Sequence, residues 1–269
     1  MGVTKEGKVA VLTNYRENTS EQAIGAKSRG AIVCSWIAAP PGQERSRSTL
    51  EFVQDMVASP TARNVGGFSL LCGYLNEPLA IVSNRSSTMD QIAWVATEEG
   101  QTLGLSNTVF DDRSWPKIMD GERLVNEAIA AHAQAGEDED SLIARLLDVL
   151  STNTLPKLSE DATAEDYLPH FRKSIFIPAL GAREKLPGKA TPLCAESKIV
   201  DSTAAGQHDV IDQSFLHGPY GTQQQTVLLV SDSGRVRYFE RTLYDNDAKA
   251  IPIGQGDRSF EFQVRTRSE

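Results

Sequence analysis

The chain of 269 residues is 40% hydrophobic and 23% charged, and it carries a formal net charge of -9 at pH 7. This length is enough to bury the core of one large domain or of two small ones. The acidic balance disfavours a nucleic-acid partner, which needs a basic surface, and no apolar run approaches the roughly 20 residues of a membrane-spanning helix.

Predicted strands and helices alternate in the first part of the chain. We expect a strand over residues 8–16 and a helix over residues 24–39, where apolar residues recur at helical spacing until Pro40. Ser48 and Glu51 have the spacing of a capping box, which predicts the start of a second helix.

Short strands are predicted next. Turn residues separate the apolar runs, which favours an antiparallel meander. The predicted strands cover residues 67–74, 79–83, 92–96 and 102–105. Cys72 falls in the first of them and Cys34 on the apolar face of the preceding helix, so we expect both thiols in the core.

Two amphipathic helices are predicted over residues 120–135 and 140–150. Gly136 follows the first helix directly and predicts its end, because glycine readily adopts the left-handed conformation found after helix C-termini. Acidic residues precede the second helix. They complement the helix dipole, and this interpretation is favoured over a metal site.

Periodicity fades after the second of these helices. Prolines punctuate residues 151–216, which we expect to form a loop-rich insertion with a helix near residues 165–173 and a strand at residues 174–177.

The C-terminal part predicts strands again. Asp232, Ser233 and Gly234 have the composition of a tight turn between two apolar runs, which is a strong hairpin signal. The predicted strands cover residues 222–231, 235–242 and 260–264.

The usual catalytic motifs are absent from the sequence. Three widely spaced cysteines and four histidines form neither a disulfide framework nor metal-ligand spacing, so we expect no metal and no cofactor. Ser114 and Lys117 match the Ser-x-x-Lys of penicillin-recognising enzymes, but a proline and a helix follow Ser114, as they follow an N-cap. We therefore expect turn and capping roles there, and also for the acid pair Asp111 and Asp112.

Polar residues at the ends of predicted strands form the candidate site. Amides and arginines at such positions are either turn formers or the lining of one pocket at a sheet edge. The second interpretation predicts a small-molecule site that contains Asn14, Arg16, Asn84, Arg85, Asn107 and Thr222.

Six motifs in order resemble those of the NRDE family, which is named for an Asn-Arg-Asp-Glu motif. They are GVTKEGKVAVLTNYRE, AKSRG, GGFSLLCG, LAIVSNR, GLSNTVFDDRSWPK and YGTQQQTVLLVSDSGRVRYFER. The resemblance runs from Gly2 to about Glu240, is weakest over residues 151–216, and in its long proline-rich loop is similar to the fungal branch. It implies that residues 1–269 form a single NRDE-type domain.

The resemblance also implies an α+β fold similar to that of N-terminal nucleophile hydrolases. That fold is an αββα sandwich, in which two antiparallel sheets lie between layers of helices. The family begins with Met-Cys and the Asn-Arg-Asp-Glu motif, whereas this sequence has Gly2 at the second position. The expectation is therefore an N-terminally truncated form of the fold with no catalytic residue.

The family resemblance implies two functions. The first is a non-catalytic role in Golgi organization and protein secretion. In this role the protein would bind partners of the trafficking machinery or carry haem or acyl-CoA. It would work in the cytoplasm, with Golgi or mitochondrial association. The second is an amidohydrolase whose nucleophilic cysteine this chain lacks. In that chemistry Asn14 or Asn107 would supply amides to an oxyanion, and Arg85 would hold a substrate carboxylate.

Overall fold

The computed structural model describes residues 1–15, 29–38, 47–59, 65–159, 162, 164–180 and 220–264. Within these ranges, helices and antiparallel sheets coexist, which confirms the α+β class. No helix of the described ranges is long and apolar enough to cross a membrane.

The first sheet is antiparallel, and its strands follow one another in chain order from edge to edge. They are β1 (Gly2–Val3), β2 (Lys8–Asn14), β3 (Phe68–Tyr74), β4 (Leu79–Ser83) and β5 (Ala93–Val95). The predicted meander is therefore confirmed for β3, β4 and β5. One row across the sheet places Ala10 opposite Cys72, Cys72 opposite Ala80, and Ala80 opposite Trp94.

Two helices cover one face of this sheet. They are α1 (Gly30–Ile37) and α2 (Thr49–Ala58). Trp36 of α1 and Phe52 of α2 are almost fully buried, with ring centroids 4.9 Å apart. The indole Nε1 of Trp36 donates a hydrogen bond to the Val9 carbonyl at 3.0 Å, which fixes α1 over β2. Small side chains in the row beneath the helices allow this close approach.

The start of α2 has the predicted capping box. The Ser48 hydroxyl accepts a hydrogen bond from the Glu51 N–H at 3.2 Å, and the Glu51 carboxylate accepts one from the Ser48 N–H at 2.9 Å. These bonds satisfy donors that the first helical turn leaves free.

The next two helices are α3 (Pro116–Ala135) and α4 (Glu139–Leu150). The first begins four residues before its predicted start, because Pro116 is suited to the first helical position. Gly136 follows it in the left-handed conformation, with φ of 62°, as predicted. Asp138 caps α4 by accepting a hydrogen bond from the Ser141 N–H at 2.9 Å.

The second sheet has three antiparallel strands, and α4 packs on one of its faces. The strands are β6 (Gln224–Val230), β7 (Arg235–Thr242) and β8 (Asp257–Gln263). Ile143 and Leu147 of α4 form a buried cluster with Val227 of β6. Arg237 of β7 also reaches the start of α4, where its Nη1 lies 3.0 Å from a Glu139 carboxylate oxygen. The predicted hairpin is confirmed, with Gly234 at φ of 79° in its turn.

Two strand predictions were wrong. Residues 102–105 form no strand, because side chains of α3 bind this segment: the Gly104 N–H donates to Glu122 at 2.8 Å. Residues 174–177 form no strand either, although the Phe176 N–H donates to the Thr152 carbonyl. The helix predicted near residues 165–173 is α5 (Ala164–Tyr167), continued by the 3-10 turn Leu168–His170.

Candidate functional site

Three asparagines meet where β2 ends and β3 begins. Asn14 lies opposite Phe68 in the sheet. The Asn107 amide nitrogen donates a hydrogen bond to the Asn14 carbonyl at 2.8 Å, and the Asn84 side-chain oxygen accepts one from the Phe68 N–H at 3.3 Å. Residues far apart in sequence therefore form one group at this end of the first sheet.

Two arginines join the asparagines. The guanidinium of Arg85 lies over the ring of Tyr15, with its carbon 4.1 Å from the ring centroid. The Nη1 of Arg29 donates to the Gly67 carbonyl at 3.2 Å, just before β3 begins. Together these residues form the strand-end cluster, which we define as Asn14, Tyr15, Arg29, Asn84, Arg85 and Asn107.

Hydrogen bonds from the strands hold the loop that carries Asn107. The Thr13 hydroxyl donates to the Ser106 carbonyl at 3.1 Å, and the Ser69 hydroxyl donates to the Thr108 carbonyl at 3.2 Å. Ser106 and Thr108 are buried. The position of Asn107 between them is thus fixed by its neighbours on both sides.

Asp112 closes the turn that follows, as predicted. Its carboxylate accepts hydrogen bonds from the Ser114 N–H at 2.9 Å and from the Thr108 hydroxyl at 2.7 Å. Hydrogen bonds from Ser114 and, to a smaller extent, from Thr108 lower the pKa of Asp112. The Asp112 carboxylate therefore already accepts hydrogen bonds within its own turn.

The N-cap prediction for Ser114 was wrong. The N-cap of α3 is Trp115, whose side chain makes no capping hydrogen bond, and Pro116 occupies the first helical position. Lys117 lies next, with its Nζ 5.3 Å from the centroid of the Trp115 ring. Burial lowers the pKa of Lys117.

Two residues of the predicted pocket stand apart from the cluster. Thr222 lies near the second sheet, where its N–H donates to the Ile177 carbonyl at 2.7 Å and its hydroxyl accepts from the Ile177 N–H at 3.0 Å. Within the described residues, no recorded contact joins Thr222 to the strand-end cluster. Arg16 lies outside the described residues.

Cys72 offers no nucleophile to this cluster. Cys72 is fully buried, and desolvation raises the pKa of its thiol to about 12. Cys34 was predicted in the core and is exposed, which corrects that prediction: Ile32 and Trp36 are the buried residues of α1 and set its inward face. Cys194 lies outside the described residues.

The cluster can donate hydrogen bonds to a negatively charged group. The Asn84 amide nitrogen makes no hydrogen bond within the described part of the chain, and no described carboxylate pairs with Arg29. Amide and guanidinium donors are the groups that bind phosphate and carboxylate oxygens in proteins. Among the described residues, no group of three or more His, Cys, Asp or Glu side chains could hold a metal ion.

Sequence reasoning did not select Arg29 or Tyr15 as site residues. Arg29 lies in AKSRG, one of the motifs that carried the family resemblance, directly before α1. Tyr15 follows the last residue of β2. Tyr15 lies near the end of the strand predicted over residues 8–16, and this position was the available signal, whereas Arg29 lies within the helix predicted over residues 24–39.

These features define an α+β protein whose candidate site consists of amide and guanidinium groups at the end of an antiparallel sheet. The family model described as Transport and Golgi organisation 2 matches residues 1–245. The chain belongs to this family, and the resemblance to the NRDE family is thereby confirmed.

Named relatives cover nearly the whole chain. This chain is 24% identical over 268 residues to a Bos taurus protein named Transport and Golgi organization protein 2 homolog. The match covers 99% of this chain and 78% of the Bos taurus protein. The chain is 26% identical over 267 residues to the Homo sapiens homolog of the same name, with the same shares covered. An uncharacterized Saccharomyces cerevisiae protein is 20% identical over 279 residues, covering 98% of this chain and 81% of the yeast protein.

Proposed function

We propose that the protein acts in Golgi organization and protein secretion as a non-catalytic carrier that holds an anionic small molecule at the strand-end cluster. The observation that supports this most is the convergence of Asn84, Asn107 and Arg29 on one end of the first sheet. The names of the relatives support the trafficking setting.

Acyl-CoA is the ligand class that we favour over haem. Its phosphates match the amide and guanidinium donors of the strand-end cluster. Haem proteins use His, Cys, Met or Tyr as axial ligands. In the cluster only Tyr15 is of these types, and its ring lies under the Arg85 guanidinium.

We further propose that the two sheets pack face to face in an αββα sandwich. Helices α1 and α2 cover one face of the first sheet, and α4 covers one face of the second. A Cβ atom added at Gly7, beside β2, would lie 2.8 Å from Val264, beside β8, so the sheets approach each other at that corner. In this proposal the protein works in the cytoplasm, with Golgi or mitochondrial association and trafficking-machinery partners.

The second candidate is an amidohydrolase of the N-terminal nucleophile type. The amides of Asn84 and Asn107 favour it, because such groups stabilise oxyanions. The carrier remains the better-supported function, since Cys72 is buried and its pKa of about 12 keeps the thiol protonated.

Titration of the protein with palmitoyl-CoA below its micelle concentration tests the carrier. We expect saturable binding that Arg29→Ala weakens about tenfold, the equivalent of roughly 1.4 kcal/mol. Arg258→Ala is the matched control, because Arg258 is an exposed arginine of β8 without a partner in the described residues.

The result that contradicts the carrier is a lack of saturable binding, or equal loss of affinity in both variants. Release of free CoA thiol during the same incubation would instead favour the hydrolase. Thermal unfolding of each variant checks that the substitution leaves the fold intact.

A further inference from the structure

The outer edge of β5 is a second feature that the proposed function does not use. β5 is the last strand of the first sheet and pairs only with β4 among the described residues. Ala93, Trp94 and Val95 make no other hydrogen bond in the described part of the chain. An edge strand of this kind offers backbone N–H and C=O groups to another extended chain.

An apolar groove lies beside this edge. Its volume is about 450 Å³, and its lining includes Leu50 at the start of α2, Pro78 before β4, and Trp94 and Thr97 at β5. Leu50 is 48% exposed and Trp94 38% exposed. Trp94 lies in the same row of the sheet as Ala10, Cys72 and Ala80, at the β5 end of that row.

Thr49, whose buried hydroxyl has no hydrogen-bond partner, is one of the residues that line the same groove. Thr49 is 3% exposed, and its Oγ1 makes no hydrogen bond in the structure. The capping box formed by Ser48 and Glu51 already serves the start of α2, so the Thr49 hydroxyl is not needed for capping. Buried polar groups are nearly always paired, and the polar atom of a bound ligand would supply the missing partner.

Among the described residues, acidic side chains lie beside the groove. Glu77 is part of its lining, and the exposed Glu98 and Glu99 follow Thr97 directly. The neighbouring Arg47 forms an ion pair with Asp55. A ligand for this surface therefore carries positive charge, whereas a phosphate group or an anionic bilayer is repelled.

We propose that the edge of β5 binds an extended basic segment of a partner protein. The segment pairs with β5 as an added strand, places an apolar side chain between Leu50 and Trp94, and directs its lysines or arginines toward Glu98 and Glu99. Addition of a strand supplies backbone hydrogen bonds, and alternate side chains give specificity. The Thr49 hydroxyl receives a polar atom of the segment.

Fluorescence anisotropy with a dye-labelled peptide tests this proposal. The probe is Lys-Val-Lys-Leu-Lys-Val-Lys, and its partner is the full chain. We expect saturable binding that Glu98→Lys with Glu99→Lys weakens at least tenfold, that Leu50→Gln weakens about fivefold, and that Thr49→Val weakens about threefold.

The matched control is Asp232→Lys with Asp247→Lys. These acids are exposed, lie in turns of the second sheet, and change the net charge by the same amount. We expect the control to retain the wild-type affinity. Equal weakening by both pairs would show nonspecific attraction and would overturn the proposal.

A second probe separates strand addition from attraction of charge alone. The same peptide, N-methylated at alternate residues, keeps its charge and side chains but loses backbone donors. We expect its binding to be at least tenfold weaker. Equal binding of the methylated peptide, no saturable binding of the first peptide, or Leu50-dependent binding to phosphatidylserine vesicles would each overturn the proposal.

Discussion

The Cys72 thiol lies in the first sheet, with Ala10 and Ala80 at the same position on the strands beside it. Desolvation raises the pKa of Cys72 from 9.0 to about 12. The unfolded chain releases this proton near pH 9, and the folded chain retains it. The folded state is therefore progressively disfavoured as pH rises from 9 to 12.

Cys72→Ala gives a test of this effect. We expect wild-type protein to lose about 1 kcal/mol more free energy of unfolding than the variant between pH 9 and pH 10, because only wild type has the buried thiol. Urea unfolding at both pH values measures the difference. Equal losses in the two proteins would contradict the raised pKa, whatever the stability of the variant at pH 7.

The unpaired hydroxyl of Thr49 predicts a stabilising substitution. Thr49→Val keeps the shape of the side chain and removes a buried oxygen that has no partner. We expect the free energy of unfolding to rise by about 1 kcal/mol. Thr108→Val is the informative comparison, since the Thr108 hydroxyl donates to Asp112 and its loss destabilises. A destabilised Thr49→Val would indicate that the hydroxyl is satisfied in solution.

Single residues at strand ends were predictable from sequence because the alternation of apolar residues stops there. Asn14, Asn84 and Asn107 were selected in this way, and contacts at Asn14 and Phe68 bring them together. Their meeting depends on the register of β2 with β3, which a single sequence does not contain. Arg29 was missed for that reason, since its partner is the carbonyl of Gly67.

At the scale of elements, one glycine inside α3 and one directly after it have opposite expected effects. Gly136 has a positive φ of 62°, and a Cβ there would meet no atom within 4 Å. Gly121 lies inside the helix, where a Cβ would make an ordinary contact with Ile175 at 3.7 Å. We expect Gly136→Ala to destabilise by about 1 kcal/mol and Gly121→Ala to stabilise by roughly 0.5–1 kcal/mol.

Each glycine variant controls for the other, because each adds one methyl group, one inside α3 and one directly after it. Chemical denaturation measures the two free energies of unfolding. The same sign for both changes would show that helix propensity and backbone conformation do not determine the stability of α3.

Element boundaries were predictable where the chain itself supplies the stop or start. Gly136 ends α3 and Ser48 with Glu51 opens α2, and these signals are local in sequence. Residues 102–105 were predicted as a strand because they include apolar side chains, yet a helix side chain, Glu122, takes the Gly104 N–H. The sequence of this segment does not show that a distant side chain binds its backbone N–H.

At the scale of the whole molecule, the pKa shifts of the ionisable groups predict a free energy of unfolding that is constant between an acid and an alkaline limit. Hydrogen bonds from Arg113 lower the pKa of Glu122, and those from Arg145 lower the pKa of Glu137. As pH falls, these carboxylates bind protons in the unfolded chain before they do so in the folded chain. The free energy of unfolding therefore decreases below about pH 4.5. Cys72 sets the decline above pH 9.

Urea midpoints measured from pH 3 to pH 10 check this prediction. We expect constant values in the middle of the range and losses at both ends. Glu122→Gln provides the acid-side control, because it removes one titrating group and should flatten the fall below pH 4.5. A midpoint that rises continuously toward pH 3 would contradict the direction of these pKa shifts.

The family and the α+β class were predictable because six motifs appear in order along the sequence, and the family model matches residues 1–245 although identity to the Homo sapiens relative is 26%. The placement of Thr222 beside Ile177 was not predictable. Both residues lie outside the regular strands, where side-chain hydrogen bonds decide the path of the chain.

The loop before α3 ties that helix to the distant strand ends. Thr102 donates to Asn126 at 2.5 Å and Gly104 to Glu122, whereas Ser106 accepts from Thr13 and Asn107 donates to Asn14. A shift of α3 along its axis would therefore pull on the amides of the strand-end cluster. In the proposed carrier, a partner that binds the exposed side of α3 would therefore change the affinity of the strand-end cluster for its ligand.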